Sequence, residues 1–469
     1  MLSRLGQITL AVAALLATAA APAAAAEKSA GGFGKLNHIV VVYLENHSFD
    51  NLFGTFPGAN GISRAGKKAV QVDSAGKPYA TLPAPINSHL KPPAADNRFP
   101  AGLANRPFLI DLYVPAGVAT GDLVHRYYQQ IAQIDGGRMD RFAAVSDAAG
   151  LAMGYYEGRN TALWRYAADY TLADNFFHAA LGGSFLNHMW LVCACTPRYD
   201  AAPAAVRATL DGNGKLLHDG AVTPDGFAVN TIFSVYQPHP ARIADKSHLL
   251  PPVTLPTIGD RLSDKGVTWA WYSGGWDDAL AGKPDKIFQY HHQPLAYFRQ
   301  FADGSAAKAE HLKDERDLLR DIAANRLPAV TFYKPIGEEN EHPGYADVMT
   351  GDRHVAEIID KIMQSPAWPD TAIIVTYDEN GGYWDHVPPP KGDRWGPGAR
   401  VPTIVISPYA KRGFVDHTRY DTTSILRLIE SRFDLAPLGE RDARAANMQN
   451  AFDFAGTGAA RPQRRKPAR

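Results

Sequence analysis

Two short runs of mainly β-branched residues, each followed at once by polar side chains, constrain the fold of this chain more than any other feature. They are residues 39–44 (IVVVYL), which precede Glu45 and Asn46, and residues 371–377 (TAIIVTY), which precede Asp378 and Glu379. Continuous apolar runs of this length are typical of strands that are buried on both faces of a sheet. We therefore expect both runs to be central strands with polar groups at their carboxyl ends.

Helical and strand patterns alternate along the chain. Besides the two central runs, strand patterns occur at residues 329–333 and 401–407. Helical patterns occur between and after them, at residues 351–363 and 422–433. Such alternation predicts an α/β fold, with a mostly parallel sheet and helices on both faces. Residues 54–115 and 211–256 are rich in turn-forming residues and have little periodicity, so they are predicted to be long loop insertions.

The two ends of the chain differ from its body. Residues 1–26 contain Arg4, an apolar run and a final stretch of alanines, which is the pattern of a secretory signal peptide. An uncleaved anchor helix is the alternative, and Pro22 with the many alanines disfavours it. Residues 457–469 are basic and contain prolines, as in a disordered tail. We interpret residues 27–456 as one exported domain, periplasmic or extracellular in a bacterium, without a transmembrane segment in the mature chain.

Charge and cysteine content narrow the class of protein. The 469 residues include 48 Lys and Arg and 48 Asp and Glu, so the formal net charge is zero and no nucleic-acid partner is expected. The two cysteines, Cys193 and Cys195, are separated by a single alanine. That spacing is too short for an easy bridge, and we expect both thiols to be reduced and packed.

The polar residues after the two central strands are candidate metal ligands. Ligands of open α/β sheets bind beyond the carboxyl ends of the strands, where these side chains would meet. Carboxylate and amide oxygens suit a divalent cation such as Mg²⁺, Ca²⁺ or Mn²⁺, and carboxylate-rich sites also accept Zn²⁺. Alternatively, Asp and Asn at strand ends only bond to the local backbone. Two clusters after two core strands favour the metal site.

A serine near a predicted helix start is a candidate nucleophile. In residues 179–190 (AALGGSFLNHMW), Ser184 follows a glycine pair and begins an apolar helical pattern. The free N–H groups of a helix N-terminus would stabilise a phosphoryl group on this serine. The alternative is an ordinary N-cap serine. The Gly-x-Ser-x-Gly elbow of α/β-hydrolases is missing, which disfavours acyl transfer.

Several histidines lie in polar segments that could serve a phosphate site. They are His125, His188, His291, His292, His342, His354 and His386. Neutral imidazoles bind metals, and protonated ones stabilise phosphoryl oxygens or leaving groups. Any one of them alone is more often a structural residue with satisfied hydrogen bonds. The pair at 291–292 and His386, which follows Asp385, are the strongest functional candidates.

Five segments together resemble a known family. They are residues 41–54 (VVYLENHSFDNLFG), 182–194 (GGSFLNHMWLVCA), 288–298 (FQYHHQPLAYF), 340–348 (NEHPGYADV) and 376–390 (TYDENGGYWDHVPPP). In this order they resemble the bacterial phosphoesterase family of acid phosphatases and phospholipases C. The resemblance implies an alkaline-phosphatase-like α/β fold and a phosphoserine or phosphothreonine mechanism, in a single catalytic domain over residues 27–456.

The resemblance also implies roles for individual residues. The implied metal ligands are Glu45, Asn46, Ser184, Asp378 and Glu379. Ser184 is also the implied nucleophile, and the phosphate pocket would be lined by His125, His291, His292 and His342. Supporting positions around the site would be Asn187, His188, Asp385 and His386.

Three functions are compatible with these residues. The main hypothesis is a secreted, metal-dependent acid phosphatase acting on small phosphorylated substrates. It is favoured because Ser184 and Phe185 depart from the phospholipase C motif, and because no obvious lipid-facing module follows the last helix. The alternative is a phospholipase C for phosphatidylcholine-type diesters, in which Trp269, Trp271, Tyr272 and Trp276 would contact a choline group by cation–π interaction. Such aromatic residues are more often part of the core or of a pocket wall. A phosphate-binding protein without catalysis is the third.

Overall fold

An eight-stranded mixed sheet forms the centre of the protein. The structure is a computed structural model that describes residues 31–456. The strands of this sheet are β1 (His38–Leu44), β2 (Thr171–Ala173), β3 (Trp269–Ser273), β4 (Leu312–Asp314), β5 (Val330–Lys334), β6 (Thr371–Tyr377), β7 (Thr403–Ile406) and β8 (Phe414–Asp416). Their order across the sheet is β4-β3-β5-β1-β6-β7-β2-β8. Both acid-terminated runs are therefore neighbouring strands at the centre, as the sequence predicts.

Strands β1 and β6 pair in parallel, with Leu44 opposite Tyr377. This register places the residues that follow the two strands at the same edge of the sheet. Every residue of β6 is buried, so both faces of the sheet are covered. The β-branched composition of the two runs fits that double burial, because a strand without a solvent face needs no polar alternation.

The strand predicted at residues 401–407 is an antiparallel member of the mostly parallel sheet. Only Thr403–Ile406 forms a strand, and it is antiparallel to both of its neighbours, β6 and β2. A parallel return would need a crossover connection, usually a helix. The connection over residues 378–402 contains no helix, so the chain re-enters the sheet from the same edge in the opposite direction. The rest of the sheet is mostly parallel, and the predicted α/β class is confirmed.

Helices cover the sheet in two groups. The α-helices of the described residues are α1 (Phe49–Phe53), α2 (Tyr127–Ile134), α3 (Phe142–Val145), α4 (Ala162–Asp169), α5 (Ser184–Cys193), α6 (Ile258–Asp264), α7 (Trp276–Leu280), α8 (Ala306–His311), α9 (Glu315–Ala323), α10 (Val348–Gln364), α11 (Thr422–Phe433) and α12 (Glu440–Arg444). Helix α5 packs against α6 and α11, whereas α4 packs against α10 and strands β2 and β7. The helical pattern at residues 422–433 is confirmed at both ends, and the pattern at residues 351–363 lies within α10.

The predicted loop insertions are largely irregular. Residues 54–115 contain only short 3₁₀ turns and two-residue strands, such as the Ile86–Asn87 pairing with Ala94–Ala95. The insertion at residues 211–256 likewise holds only short strands and one 3₁₀ turn. Within residues 31–456, no helix is long and apolar enough to cross a membrane. The predicted signal peptide at residues 1–26 and the basic tail at residues 457–469 lie outside the described residues.

The expectation of two reduced cysteines is wrong. Cys193 and Cys195 form a disulfide, with their Cα atoms 5.1 Å apart. Helix α5 ends at Cys193, and Ala194 adopts a left-handed conformation with φ of 47°. That reversal brings the second cysteine back towards the first, within the Cα separation that disulfides require. The sequence spacing alone does not reveal this turn.

Candidate active site

The predicted metal ligands meet at the carboxyl edge of β1 and β6. The backbone N–H of Asp378 donates to the carbonyl of Leu44 at 3.0 Å, which extends the parallel ladder by one residue. Asn46 has a left-handed backbone with φ of 70°, and its N–H donates to Asp378 Oδ1 at 3.3 Å. The turn after β1 thereby directs the Asn46 side chain towards the carboxylates after β6.

The side-chain oxygen of Asn46 lies among other oxygens. It is 3.0 Å from Asp378 Oδ1, 3.0 Å from Glu379 Oε1 and 3.3 Å from Ser184 Oγ, whose hydroxyl donates to it. An amide oxygen beside two carboxylate oxygens is repulsive unless a positive group joins them. Either the amide turns over, so that its NH₂ donates to both carboxylates, or a cation lies between the oxygens.

The chemistry of these donors fits a divalent cation. Oxygens that surround one small cation at about 2.0 to 2.6 Å are held roughly 3 Å from each other, as they are here. Buried carboxylates without a compensating charge are costly. Glu45 and Asp378 also lie close enough to His188 for one ion to contact all three side chains. Asn46, Ser184, Asp378 and Glu379 could therefore hold the ion, with Glu45 beside them.

Glu45 is ionised in a dense cluster of positive and polar groups. Its Oε1 lies 2.6 Å from His292 Nε2 and 2.7 Å from Lys334 Nζ. Burial raises the pKa of the Glu45 carboxyl, but His292 and Lys334 outweigh that effect and lower its pKa well below the ordinary value. Glu45 thus keeps its negative charge although it is 1% exposed.

Asp378 and Glu379, the two acids after β6, differ from Glu45 because their pKa values are raised. Burial, and then the charge of Glu45, raise the pKa of Asp378 well above its ordinary value. Burial also raises the pKa of Glu379, although the N–H of Gly381 donates to its Oε2 at 2.6 Å. Asp378 Oδ2 has no hydrogen-bond partner among the described residues. Asp378 and Glu379 therefore need either protons or a cation.

Ser184 is the first residue of helix α5, directly after the N-cap Gly183. A Cβ atom at Gly183 would lie 2.7 Å from the carbonyl oxygen of His125, so only glycine allows this approach. The serine is 6% exposed and lies on the wall of a cavity of about 370 Å³. The predicted helix start is confirmed, and the free N–H groups of the first turn lie beside the serine.

Asn187 and His188 support the segment that carries the serine. Asn187 Nδ2 donates to the carbonyls of Ala180 and Gly182, at 2.9 and 3.2 Å, and its Oδ1 accepts from the N–H of Ala180. His188 Nδ1 lies 2.7 Å from the carbonyl of Ser184 and 3.8 Å from Asp378 Oδ2. Both residues are therefore next to the serine, in the positions that the sequence assigns to supporting groups.

The four predicted pocket histidines also gather here. His125, His291 and His342 line the same cavity as Ser184 and Glu45. His342 Nε2 lies 2.7 Å from the Asn46 amide, and His125 Nε2 is 3.3 Å from it. His292 is held by Glu45, and burial lowers the pKa of its imidazole to about 4. His291 Nδ1 has no partner among the described residues.

Comparison with known proteins assigns the chain to a family. The Phosphoesterase family is matched over residues 36–436, which spans the sheet and every site residue described above. The chain belongs to the Phosphoesterase family. As a member of this family it is a hydrolase that acts on phosphoric ester bonds.

Curated relatives of this phosphoesterase are bacterial phospholipases C. Phospholipase C A from Mycobacterium tuberculosis is 28% identical, over 91% of this chain and 78% of the relative. The non-hemolytic phospholipase C from Pseudomonas aeruginosa is 26% identical, over 93% of this chain and 60% of the relative. These names describe the relatives.

Solved structures with some likeness to this phosphoesterase are distant. One is a protein in the alkaline phosphatase superfamily from Vibrio parahaemolyticus, with a TM-score of 0.33 and 10% identity, over 70% of this chain and 73% of the other. Another is the lipoteichoic acid synthase LtaP from Listeria monocytogenes, with a TM-score of 0.35 and 10% identity, over 90% of this chain and 82% of the other. Scores below 0.5 do not establish a common fold, and the α/β class rests on the sheet itself.

Lys334 is a residue of this phosphoesterase site that sequence reasoning missed. It ends β5, is fully buried, and contacts Glu45 and the carbonyl of Leu44. Tyr345, whose hydroxyl donates to Glu45 Oε2 at 3.5 Å, was missed as well. A search for polar residues at every strand end, rather than for acids alone, would have found Lys334.

Asp385 and His386 lie in a separate buried cluster. His386 Nδ1 is 2.6 Å from Asp50 Oδ2, and Arg400 Nε donates to Asp385 Oδ1 at 2.9 Å. Arg400 also contacts Asp50 Oδ1 at 3.1 Å. Within the described residues, no hydrogen bond of either side chain reaches Ser184 or the predicted metal ligands. This cluster joins α1, which follows the Glu45 turn, to the segment after β6.

The aromatic residues proposed to contact choline are core residues. Trp271, Tyr272 and Trp276 are each at most 1% exposed, and Trp269 is 3% exposed. Trp271 Nε1 donates to the carbonyl of His292 at 2.7 Å, and this hydrogen bond holds the backbone of the histidine pair in place. None of the four lines the cavity beside Ser184. The choline-binding interpretation of this segment is therefore wrong.

Proposed function

We propose that this phosphoesterase cleaves the phosphodiester bond of phospholipids, as a phospholipase C, through a phosphoserine on Ser184. The observation that carries the proposal is the convergence of Ser184, Asp378 and Glu379 on Asn46, since one atom of its amide lies within 3.3 Å of an oxygen of each of the three. A nucleophilic hydroxyl beside a cation site and a helix N-terminus is suited to phosphoryl transfer.

The cation would be held by Asn46, Ser184, Asp378 and Glu379. When bound, it supplies positive charge that lowers the pKa of the serine hydroxyl and offsets the charge of the phosphate. Lys334 and His292 keep Glu45 ionised and in place. Mg²⁺, Ca²⁺, Mn²⁺ and Zn²⁺ are all compatible with oxygen donors of this kind.

The chain's own groups then carry out two steps. Ser184 Oγ loses its hydroxyl proton to solvent, attacks phosphorus in line and forms an ester with the phosphorylated headgroup, and the bond to the diacylglycerol oxygen breaks as that oxygen takes a proton. His291 lines the cavity and its Nδ1 is unpaired among the described residues; burial lowers its pKa well below the ordinary value, and the negative phosphate would oppose this shift and let it provide the proton. Water then attacks the phosphoserine, releases the phosphorylated headgroup and restores the serine.

Two observations favour a phospholipid over a small monoester. The curated relatives that cover most of this chain are named phospholipases C. The cavity wall also includes Asp122 and Asp147, whereas its one arginine, Arg126, is paired with Asp219; the Asp122 side chain is 48% exposed. Acidic groups near a phosphate site repel a doubly charged monoester and attract a cationic headgroup such as choline. The acid phosphatase hypothesis remains the second candidate function, because the same Ser184 chemistry would serve it.

The decisive experiment compares two substrates on one protein preparation. Phosphatidylcholine in mixed micelles and an aryl phosphomonoester would be assayed before and after EDTA treatment. Metal-dependent release of diacylglycerol, faster per active site than monoester hydrolysis, is the expected result. Faster monoester hydrolysis would favour the acid phosphatase, and binding of phosphate without any turnover would favour the binding protein.

Variants at the nucleophile test the mechanism. Ser184→Ala should abolish turnover of both substrates while leaving the protein folded, whereas Ser184→Thr should retain part of the activity because it keeps a hydroxyl. Ser247→Ala, at an exposed position, is the matched control and should be unaffected. Trapping of ³²P on the wild type but not on Ser184→Ala would support the covalent step.

We further propose that the protein is exported. The signal-like pattern at residues 1–26 supports this, and the Cys193–Cys195 disulfide is a bond that persists in oxidising compartments. Cell fractionation of the native bacterium, with N-terminal sequencing of the mature protein, tests it. A cytoplasmic protein that still begins at Met1 would contradict export.

A further inference from the structure

A second cavity lies on the other side of the segment that carries His342. It has a volume of about 410 Å³, and its wall includes Glu341, whereas the next residue, His342, lines the catalytic cavity. Its apolar wall consists of Leu52, Phe53, Leu163, Val348 and Met349. Two consecutive residues thus belong to different cavities, and the second one is not part of the site described above.

All charged side chains that line this second cavity are acidic. They are Asp111, Glu157, Glu341 and Asp352, and no Lys, Arg or His occurs among the described residues of its wall. An apolar cavity with a purely negative lining is electrostatically selective. It repels anions and fatty acids and favours a ligand that combines positive charge with an apolar body.

Glu341 offers the free hydrogen-bond acceptor in this cavity. The residue is 1% exposed, and its Oε2 accepts from the hydroxyl of Tyr377 at 2.6 Å. Its Oε1 is buried and has no partner among residues 31–456. A Cβ atom at Gly351 of α10 would lie 2.4 Å from Glu341 Cγ, so this glycine makes room for the side chain. A buried carboxylate oxygen without a partner calls for a donor.

Asp352 differs from Glu341 because its hydrogen bonds are complete. Its two oxygens accept from the N–H groups of Ala162 and Leu163, at 2.7 and 2.8 Å, at the start of α4. It therefore has a structural role that Glu341 lacks. Burial, with the nearby charges of Asp352 and Asp347, raises the pKa of Glu341 well above its ordinary value. A cation in the cavity would oppose this shift and favour the ionised carboxylate.

We propose that this cavity binds a protonated primary amine with a short apolar body. The ammonium group donates to Glu341 Oε1, while the rings of Tyr156 and Tyr377 and the apolar wall surround the rest of the ligand. The site is independent of the phosphoesterase function, because it uses no residue assigned to that chemistry. Its ligand class follows from the negative, apolar wall and the unpaired carboxylate oxygen.

Calorimetric titration with n-hexylammonium tests this assignment. The enzyme would be saturated with its divalent cation, so that the carboxylates of the catalytic site are occupied. The expected result is 1:1 binding of n-hexylammonium, with binding of the neutral analogue n-hexanol and of hexanoate each weaker by about tenfold or more, because a hydrogen bond to a charged group is lost.

Two variants and one control locate the ligand. Glu341→Gln removes the negative charge with little change of shape and should weaken n-hexylammonium binding about tenfold. Met349→Trp fills the cavity while leaving Glu341 in place, and it should abolish binding even if Glu341→Gln fails to fold. Glu338→Gln makes the same charge change at an exposed position of the same segment and should bind like the wild type.

Three outcomes would overturn the proposal. Equal affinity for n-hexylammonium and n-hexanol would mean that the cavity has no preference for cations. Unchanged binding in Met349→Trp would place the amine elsewhere on the protein. No saturable binding of n-hexylammonium to the folded, metal-loaded enzyme would show that the cavity does not take this class of ligand. None of these results depends on whether the protein hydrolyses phospholipids.

Discussion

Lys334 Nζ lies 2.7 Å from Glu45 Oε1, and both side chains are almost completely removed from solvent. Lys334 ends β5 and Glu45 follows β1, so the pair joins two neighbouring strands at the edge where the site lies. His292 contacts the same oxygen from the other side. Glu45 is thus balanced by the protein's own groups, while within residues 31–456 the basic groups that Asp378 and Glu379 approach are only imidazoles, at 3.8 and 3.9 Å, and both acids depend on a cation or protons.

Replacing Lys334 by methionine tests this balance. Without the ammonium group, Glu45 keeps only His292, and the metal-free protein should lose about 3 kcal/mol of stability, as for other broken buried pairs. Because the remaining negative charge attracts the cation more strongly, the divalent ion should raise the melting temperature of Lys334→Met more than that of the wild type. Thermal unfolding with and without the ion measures both effects.

A matched control for this variant is Lys361→Met. Lys361 forms an exposed pair with Glu357 at 3.9 Å, so its loss should cost at most about 1 kcal/mol and leave the response to the metal unchanged. A Lys334→Met protein as stable as the wild type in EDTA would contradict the role given to this lysine.

Removal of the metal should both stop turnover and destabilise the fold. Chelation leaves Asn46, Asp378 and Glu379 with crowded oxygens, whereas an ion at a hundred times its dissociation constant adds about 2.7 kcal/mol of stability. Activity and melting temperature should fall with EDTA and recover on addition of Mg²⁺, Ca²⁺, Mn²⁺ or Zn²⁺. The ion that restores both at the lowest concentration is the one that the site prefers.

Two variants separate metal binding from catalysis. Asp378→Asn should remove most of the metal-induced rise in melting temperature, because it removes a charged ligand. Ser184→Ala should retain most of that rise while losing turnover. If chelation changed neither stability nor activity of the wild type, the cation assigned to these oxygens would be wrong.

The proton donor can be tested through the leaving group. His291→Gln should slow diacylglycerol release about a hundredfold, which is within the usual contribution of general acid catalysis. A nitrophenyl phosphocholine ester has a leaving group that needs no proton, so the same variant should cleave it at nearly the wild-type rate. An equal loss on both substrates would indicate that His291 positions the phosphate instead. His248→Gln, at an exposed surface position, is the control.

Much of the site could be predicted because parallel pairing of two strands places the residues that follow them next to each other. Glu45 and Asp378 follow two apolar runs, and parallel pairing of those runs in register is enough to bring them together. Ser184 could be placed because the helix that it begins has a visible apolar pattern. Lys334 was missed, since β5 is a weaker run and the pattern of acids after strands does not include a lysine.

Two features that the sequence does not reveal have a common physical origin in chain reversals. The direction of β7 depends on a connection without a helix, and the Cys193–Cys195 bond depends on the left-handed turn at Ala194. The turn at Ala194 has no strong sequence signal, and the Asn380-Gly381 pair before β7 lies in a connection too long to predict a tight hairpin. The aromatic segment at Trp271 was compatible with two interpretations, because tryptophan is common both in cores and at binding sites.

The buried cluster at Asp385 is expected to be structural. Asp385→Asn leaves the Arg400 guanidinium, which is fully buried, with a neutral partner, and should cost about 3 to 5 kcal/mol of stability. The metal-induced rise in melting temperature should be the same as in the wild type. Asp393→Asn breaks the more exposed pair with Arg441 and should cost no more than about 1 kcal/mol. A lost metal response in Asp385→Asn would instead make this residue a ligand.

The buried acids Glu430 and Asp442 should make the free energy of unfolding depend on pH. Burial, and then a hydrogen bond with Asp442, raise the pKa of Glu430 to about 8, and the residue is 1% exposed. The unfolded chain releases this proton near pH 4.5, whereas the folded protein retains it up to about pH 8. The folded state therefore binds more protons in this window, and its stability falls as the pH rises from 4.5 to 8.

Glu430→Gln removes this titration while keeping a neutral group of similar shape. The variant should match the wild type at pH 4.5 and exceed it by roughly 2 to 4 kcal/mol at pH 8, because it no longer carries a carboxyl that must stay protonated. Urea unfolding at a series of pH values measures the difference. Glu440→Gln, an exposed residue paired with Arg444, should show no such trend. A constant difference between Glu430→Gln and the wild type across this range would mean that the buried Glu430 does not titrate there.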